Sequence, residues 1–336
     1  MAFCRNLLPE VSRTFALNIP VLPEPLDGVV TVAYLLCRIA DTLEDEASGP
    51  VSSTLGLFAE LAGLVEGGDA GGSGGRFAQR AAASLRPSAP PAEVELVRGT
   101  PRVLHALAES PPWVRPHVAR CVRIMTEGMA NTARSFEPGP PRGLVNLEAT
   151  LDYCYYVAGV VGEMLTGLFV DYSPEAAARA EALWPRASAF GRALQLTNIL
   201  KDIREDLERG SCWLPRDRMA AHGLTPQTLL LSENRQRAVA LLNELVAVAR
   251  QEADTALEYS LSLPEEEPGL RLFCLWPLFF AVLTLSTLQG NAAVFEPAPV
   301  KIGRDAVTRV MVMTQERVGS NADLRQLYAE CAGPKA

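Results

Sequence analysis

Apolar side chains recur at intervals of three and four through most of the chain. Val239, Leu242, Leu245, Val246 and Ala249 show the spacing, which gathers them on one face of a helix. Runs that alternate apolar and polar residues, as strands do, are scarce. The pattern predicts an all-α protein. Breakers separate the periodic segments: Pro20 to Pro25, the glycine-rich Gly67 to Gly75, Pro87 to Pro91, Pro111 and Pro112, Pro138 to Pro141, and Pro264 to Pro268. None is long enough to read as an interdomain linker, so one domain over residues 1–336 is expected, with 67–75 as a flexible surface loop. No strand pattern precedes that loop and no Lys-Ser or Lys-Thr follows it, which argues against a phosphate cradle.

One segment stands apart by its lack of charge. Leu272 to Leu288, LFCLWPLFFAVLTLSTL, carries Pro277 and falls short of the roughly 20 apolar residues that a membrane span needs, so it is expected as a buried core helix. No apolar tail follows it in the sequence, and no anchor is expected. A hydrophobic content of 48% over 336 residues fits a packed interior and excludes a disordered or fibrous chain. Thirty-one Lys and Arg against 39 Asp and Glu give a formal charge of −8, which argues against a nucleic-acid partner bound through a basic surface.

The seven cysteines include no CxxC pair and the N-terminus has no secretory segment, so free thiols in a reducing cytoplasm are expected. His105, His117 and His222 are too scattered to suggest a zinc site and are read as structural. Candidate chemistry lies instead in two Asp-x-x-x-Asp pairs. Asp41 and Asp45 fall in YLLCRIADTLEDE; at helical pitch Tyr34, Arg38, Asp41 and Asp45 lie within an arc of roughly 60°. Asp202 and Asp206 fall in LQLTNILKDIREDLERG, where Gln195, Asn198, Asp202 and Asp206 lie within roughly 80°.

A lone pair of this spacing is common on solvated helix faces. Two pairs, each in an apolar helix with Arg or Lys alongside, point to a metal. Carboxylates one turn apart suit Mg²⁺, which takes one or two such ligands, keeps waters and completes its shell with substrate phosphate. The loop spacing and glycine of a calcium EF-hand are absent. Arg38, Lys201, Arg204 and Arg209 stand beside the acids, where they could meet phosphate oxygens. Two such helices would present Mg²⁺ to a diphosphate.

Four blocks carry a resemblance: SRTFALNIPVLPE (Ser12 to Glu24), YLLCRIADTLEDE (Tyr34 to Glu46), YCYYVAGVVGEMLTGLF (Tyr153 to Phe169) and QLTNILKDIREDLERGSCWLPRD (Gln195 to Asp217). In order and spacing they resemble the squalene and phytoene synthases, the head-to-head prenyl transferases. Leu272 to Met311 is similar to the eukaryotic-type squalene synthases in particular. The resemblance implies an isoprenoid synthase-type helical bundle with a central cavity. It also implies two farnesyl diphosphates as substrate, Mg²⁺ and NADPH as cofactors, and squalene as product by way of presqualene diphosphate.

The same resemblance carries roles to single positions. It implies that Asp41, Asp45, Asp202 and Asp206 hold Mg²⁺, with Asn198 and Gln195 supporting the second site. Arg38 and Lys201 would contact diphosphate, Tyr34 would accompany Arg38, and Ser12, Arg13 and Thr14 would form a flap over substrate. Lys201 replaces the arginine many relatives carry, keeping the charge and losing the planar fork. Tyr153 would steer the carbocation and Phe273 would stand beside the later cation. Lys301 matches a lysine tied to the cofactor phosphate; the family's second basic residue is Gly303 here, with Arg304 adjacent.

An allylic cation needs a dry pocket with π faces, for which Tyr34, Tyr153, Tyr156, Phe169, Phe273, Phe279 and Phe280 are candidates, the three phenylalanines 169, 279 and 280 being read as core. A monomer with peripheral membrane contact for product release is expected. The alternatives are a phytoene, dehydrosqualene or presqualene diphosphate synthase with no reductive step, and a non-catalytic helical scaffold. The retained acids and Arg38 argue against the scaffold.

Overall fold

A computed structural model describes residues 1–135 and 140–333; residues 136–139, which include the start of the 138–141 breaker run, and 334–336 lie outside the described residues. Among the described residues no strand forms, and the chain is all-α as the periodicity predicts. The helices are α1 (Ala2–Val11), α2 (Arg13–Asn18), α3 (Leu26–Asp45), α4 (Val51–Gly67), α5 (Ser73–Ser84), α6 (Pro91–Arg98), α7 (Thr100–Ala108) and α8 (Val114–Ser135). After these come α9 (Leu147–Cys154), α10 (Val160–Tyr172), α11 (Pro174–Ala177), α12 (Ala180–Leu183), α13 (Ala187–Lys201) and α14 (Ile203–Glu208). The last five are α15 (Arg216–Ala221), α16 (Arg235–Ser262), α17 (Pro268–Leu288), α18 (Arg304–Arg317) and α19 (Asn321–Ala332). Two compact units divide the chain: Met1–Ser135 with Glu163–Ala180, and Phe136–Gly162 with Glu181–Ala336.

In the first unit α3 is the central element. Leu26, Val32, Ala33, Leu35, Leu36, Ile39, Ala40 and Leu43 are wholly buried against α1, α7 and α8, at about 1.5–3 kcal/mol for each large side chain. Its polar stripe is what remains outside that core. The C-terminal end of α3 is fixed from a distance: the Arg86 guanidinium donates to the Asp45 carbonyl, and the Arg86 backbone N–H donates to the Glu46 carbonyl at 2.7 Å. The acidic end of α3 is thereby tied to the chain leaving α5.

The expected glycine-rich loop is shorter than its sequence suggests. Helix α4 runs through Gly67 and α5 begins at Ser73, and Asp69 Oδ1 accepts from the Gly74 backbone N–H at 2.9 Å, which satisfies one of the free donors in the first turn of α5. Only 68–72 are irregular.

In the second unit α13 packs on α16, α17 and a single π-helical stretch, Tyr155–Gly159, that follows α9. The approach is backbone to backbone. A Cβ at Gly162 would stand against the Ala187 carbonyl, and one at Gly191 against the Ala158 carbonyl, so only glycine allows the contact. From Leu272 onward helix α17 is apolar all round and correspondingly buried, Phe273, Leu275, Leu278 and Phe279 most completely. Leu147–Tyr172 and Pro268–Leu288 are both apolar and long enough to cross a membrane, and most of each is covered by protein.

Candidate functional site

The residues of the first acidic stripe come together as predicted, and the structure adds partners that the sequence did not disclose. Tyr34, Arg38, Asp41 and Asp45 follow one another on a face of α3. The Arg38 guanidinium pairs through Nη2 with Glu93 of α6, while its Nη1 stands 3.9 Å from Asp41 Oδ2. Glu93 is buried, and its second oxygen accepts from the Thr42 hydroxyl at 3.2 Å. The Arg38 Nε–H is buried with no protein acceptor. A donor so placed can serve an incoming oxyanion.

The electrostatics follow from this packing. Withdrawal from water pushes the Asp41 carboxyl up to about 7; Arg38 opposes the rise, and Asp45 and Glu93 add to it. Burial alone would lower the Arg38 pKa, but Asp41, Glu93 and Tyr34 more than reverse it and keep the guanidinium charged. Burial lifts the Tyr34 phenol up to about 12, against a hydrogen bond with the Ser12 side chain. Ser12 caps α2, its Oγ accepting from the Phe15 N–H at 3.1 Å, and the Phe15 ring lies 4.9 Å from that of Tyr34. Arg13 and Thr14 are exposed on the first turn of α2.

The second acidic segment departs from the single helix expected. Helix α13 ends at Lys201, Asp202 takes φ −103° and ψ 15°, and α14 starts at Ile203. No glycine or proline marks the break; Asp is a residue that favours helix ends. The Asp206 N–H still donates to the Asp202 carbonyl at 2.9 Å, so the one-turn spacing of the two acids survives. Beyond them Gly210, at φ +86°, closes α14: its N–H donates to the Leu207 carbonyl at 3.1 Å and that of Ser211 to the Asp206 carbonyl at 2.8 Å. Lys201 Nζ stands 3.1 Å from Asp202 Oδ2.

Two cations proposed beside these acids are engaged elsewhere. Arg204 donates to the Phe295 carbonyl at 2.9 Å and pairs with Glu208, and Arg209 pairs with Glu205. Only Lys201 of the three is directed at the acid pair. Gln195 is half-buried and Asn198 exposed on α13. Ile199, Ile203, Asp206, Leu207, Cys212, Trp213 and Leu214 line a small cleft, so the Asp206 carboxylate borders apolar surface.

Tyr153, near the C-terminal end of α9, is buried and stacks on Trp213, a residue the sequence reading passed over. The π-helical stretch that begins at Tyr155 also lacks a sequence signal beyond its glycine; Tyr155 and Tyr156 meet edge to face at 5.5 Å. Phe273 is wholly buried within α17, as are Phe169 and Phe279 in their helices, in keeping with a core role for the latter two. Lys301 and Arg304 are exposed where the chain enters α18. All seven cysteines are free thiols, six of them buried.

Among the described residues no three His, Cys, Asp or Glu side chains converge into a ready-made cation cage. Pairs of carboxylates with flanking cations suit Mg²⁺ better than a cage would, since Mg²⁺ keeps its waters and shares phosphate oxygens. Asp41, Asp45, Asp202 and Asp206 fit that ion. For NADPH, the exposed Lys301 and Arg304 offer charge to a phosphate.

Comparison with known proteins gives the family and the fold. The chain is 28% identical over 313 residues to squalene synthase of Schizosaccharomyces pombe, covering 92% of this chain and 64% of that protein. It is 28% identical over 320 residues to squalene synthase 1 of Arabidopsis thaliana, covering 93% and 71%. The chain thus spans a little under two thirds of the length of the first of these relatives. Its fold is that of the solved complex of TcSQS with the ligand E5700, with a TM-score of 0.81 at 24% identity over 98% of this chain and 96% of that one. The squalene/phytoene synthase family model matches residues 8–305, and the chain belongs to that family.

Proposed function

We propose that the chain is a head-to-head prenyl transferase that condenses two farnesyl diphosphates to presqualene diphosphate and reduces this with NADPH to squalene. The observation that carries the reading is on α3: Arg38 is fixed by Glu93 with a buried Nε–H unspent, one turn from the Asp41 and Asp45 carboxylates. That arrangement is built to receive a diphosphate together with its cation. The similarity to two squalene synthases along more than nine tenths of the chain supports the choice of product.

In this reading Asp41, Asp45, Asp202 and Asp206 hold Mg²⁺, which when bound supplies Lewis-acid stabilisation of the leaving diphosphate. Arg38 and Lys201 bind the diphosphate oxygens and take up charge as the carbon–oxygen bond breaks. Ser12 and Tyr34, bonded to each other, position the short helix that bears Arg13 and Thr14. Tyr153, backed by Trp213, presents a π face with no strong nucleophile to the carbocation, and Phe273 lies in a dry helix where water cannot quench one. Lys301 and Arg304 are the residues that would hold the phosphate of NADPH, which when bound would supply a hydride.

Incubation of the purified chain with farnesyl diphosphate and Mg²⁺, with and without NADPH, tests the proposal by identifying the lipid made. Squalene only when NADPH is present supports it. A cofactor-independent C30 or C40 hydrocarbon overturns the reductive step and leaves the prenyl transfer; no product removes both.

A further inference from the structure

We propose that Glu93 is a positioning residue for this reaction, holding Arg38 away from Asp41 so that the guanidinium stays ready for diphosphate and the Asp41 carboxylate stays ready for metal. The proposal rests on the roles given above to Arg38 and Asp41. Its basis is a competition visible in the geometry. Arg38 has two anionic neighbours, the tightly paired Glu93 and, at 3.9 Å, Asp41. A guanidinium with Asp41 as its only anion would close that gap and neutralise a metal ligand.

Glu93 is equipped to prevent this. It sits in the first turn of α6, its backbone N–H bonded to the Pro90 carbonyl at 3.0 Å, and its side chain is buried. One oxygen accepts from Arg38; the other faces the Thr42 hydroxyl at 3.2 Å, which shares its one proton with the Arg38 carbonyl at 2.8 Å on the same turn of α3. The Arg38 pair and this weaker contact together orient the carboxylate. The Arg38 fork is therefore committed on one side, with Nε–H left over. Glu93 itself touches neither metal nor substrate in this scheme, so its contribution passes wholly through Arg38 and Asp41.

The test reads binding as well as turnover. Calorimetry of the full chain with inorganic pyrophosphate at fixed Mg²⁺ gives a Kd, and the Mg²⁺ concentration for half-maximal activity with farnesyl diphosphate gives the metal requirement. Glu93→Gln should raise both by about tenfold, the size expected when a charged, buried hydrogen bond is lost, with a smaller change in kcat. Glu93→Asp, which keeps the charge, should recover most of the loss. In an Arg38→Gln background, Glu93→Gln should change either quantity by less than about twofold, since the residue it acts through is gone.

An equal loss in both backgrounds would overturn the proposal, because Glu93 would then act on stability alone. Unchanged binding in the single variant would overturn it too. If Arg38→Gln alone binds pyrophosphate like the parent, the diphosphate role of Arg38 fails and the proposal fails with it, a result distinct from the other two. Should Glu93→Gln not fold, as judged by circular dichroism, Thr42→Val carries the test. It frees one oxygen of the same carboxylate and should raise the Kd by about threefold, the worth of a single long hydrogen bond whose donor is shared; no change would overturn the proposal.

Discussion

Trp213 lies flat against Tyr153, ring centroids 4.2 Å apart and planes 5° from parallel. The chain following α14 thus supplies the backing for the tyrosine assigned to the carbocation. The Thr150 hydroxyl donates to the Trp213 carbonyl at 3.2 Å, and the Leu144 N–H donates to the Leu214 carbonyl at 3.1 Å, so the backing is anchored to α9 and to the chain that enters it. An aromatic pair of this kind is worth about 0.5–1.5 kcal/mol beyond its burial. Trp213→Phe should hold turnover within about threefold, whereas Trp213→Leu should lower it about tenfold and raise the share of products other than squalene. Chromatography of the products from both variants checks this; an unaltered product pattern in the leucine variant would remove Trp213 from the account.

Backbone contact across Gly162 and Gly191 sets the distance between α13 and the π-helical stretch below Tyr153. A methyl group at either place meets a backbone carbonyl oxygen, where no flexible side chain can yield. Gly191→Ala should destabilise the fold by about 3 kcal/mol or more, at or beyond the upper end of ordinary overpacking. Gly63, with open space around it, is the control: Gly63→Ala, in the interior of α4, should be neutral or slightly stabilising. Urea unfolding of the three proteins gives the comparison.

Neutralising one acid in either segment should stop turnover while the helices persist. Asp41→Asn and Asp202→Asn each remove one carboxylate proposed to hold Mg²⁺ and leave the apolar packing of α3 and α13 untouched. A fall in kcat of about a hundredfold or more is expected, the scale of losing one preorganised electrostatic contact to a developing anion. The far-ultraviolet circular dichroism should match that of the parent. Retained activity in either variant would deny that aspartate its metal.

The parts of this picture that were legible in the sequence are the local ones. Tyr34, Arg38, Asp41 and Asp45 could be placed on a common face because helical pitch alone fixes their relation. The burial of 272–288, the greater part of α17, followed from its lack of charge. Glu93 was invisible for the opposite reason: it lies more than fifty residues from Arg38 and reads as an ordinary acidic first-turn residue of α6. The break at Asp202 carries no glycine or proline, and the stack of Trp213 on Tyr153 depends on how the chain after Gly210 turns back to α9. Such tertiary pairings have no periodicity to betray them. The glycines that let α13 approach the π-helical stretch likewise look like any other helix-interior glycine until the facing carbonyl is known.

Asp41 makes the fold sense pH in a definite direction. Its folded pKa of about 7 lies above the 3.8 of an unhindered aspartate, chiefly because the carboxyl is drawn out of water. Between those two values the folded chain holds a proton that the unfolded chain has lost, so this group's contribution to stability is greatest at low pH and falls as pH rises through the window. Asp41→Asn removes the dependence. In metal-free buffer the variant should gain in melting temperature relative to the parent as pH is raised from about 4 to about 7, and gain no further above that. Mg²⁺ binds the ionised carboxylate, so Mg²⁺ with pyrophosphate should bind the parent more tightly as pH rises toward 7 and should release a proton on binding below it. Melting curves of parent and variant across that range, repeated with Mg²⁺ and pyrophosphate, read both effects. Parallel curves in metal-free buffer would mean that Asp41 carries the same charge in the folded and unfolded chain across that range, and binding of Mg²⁺ with pyrophosphate would then release no proton from it.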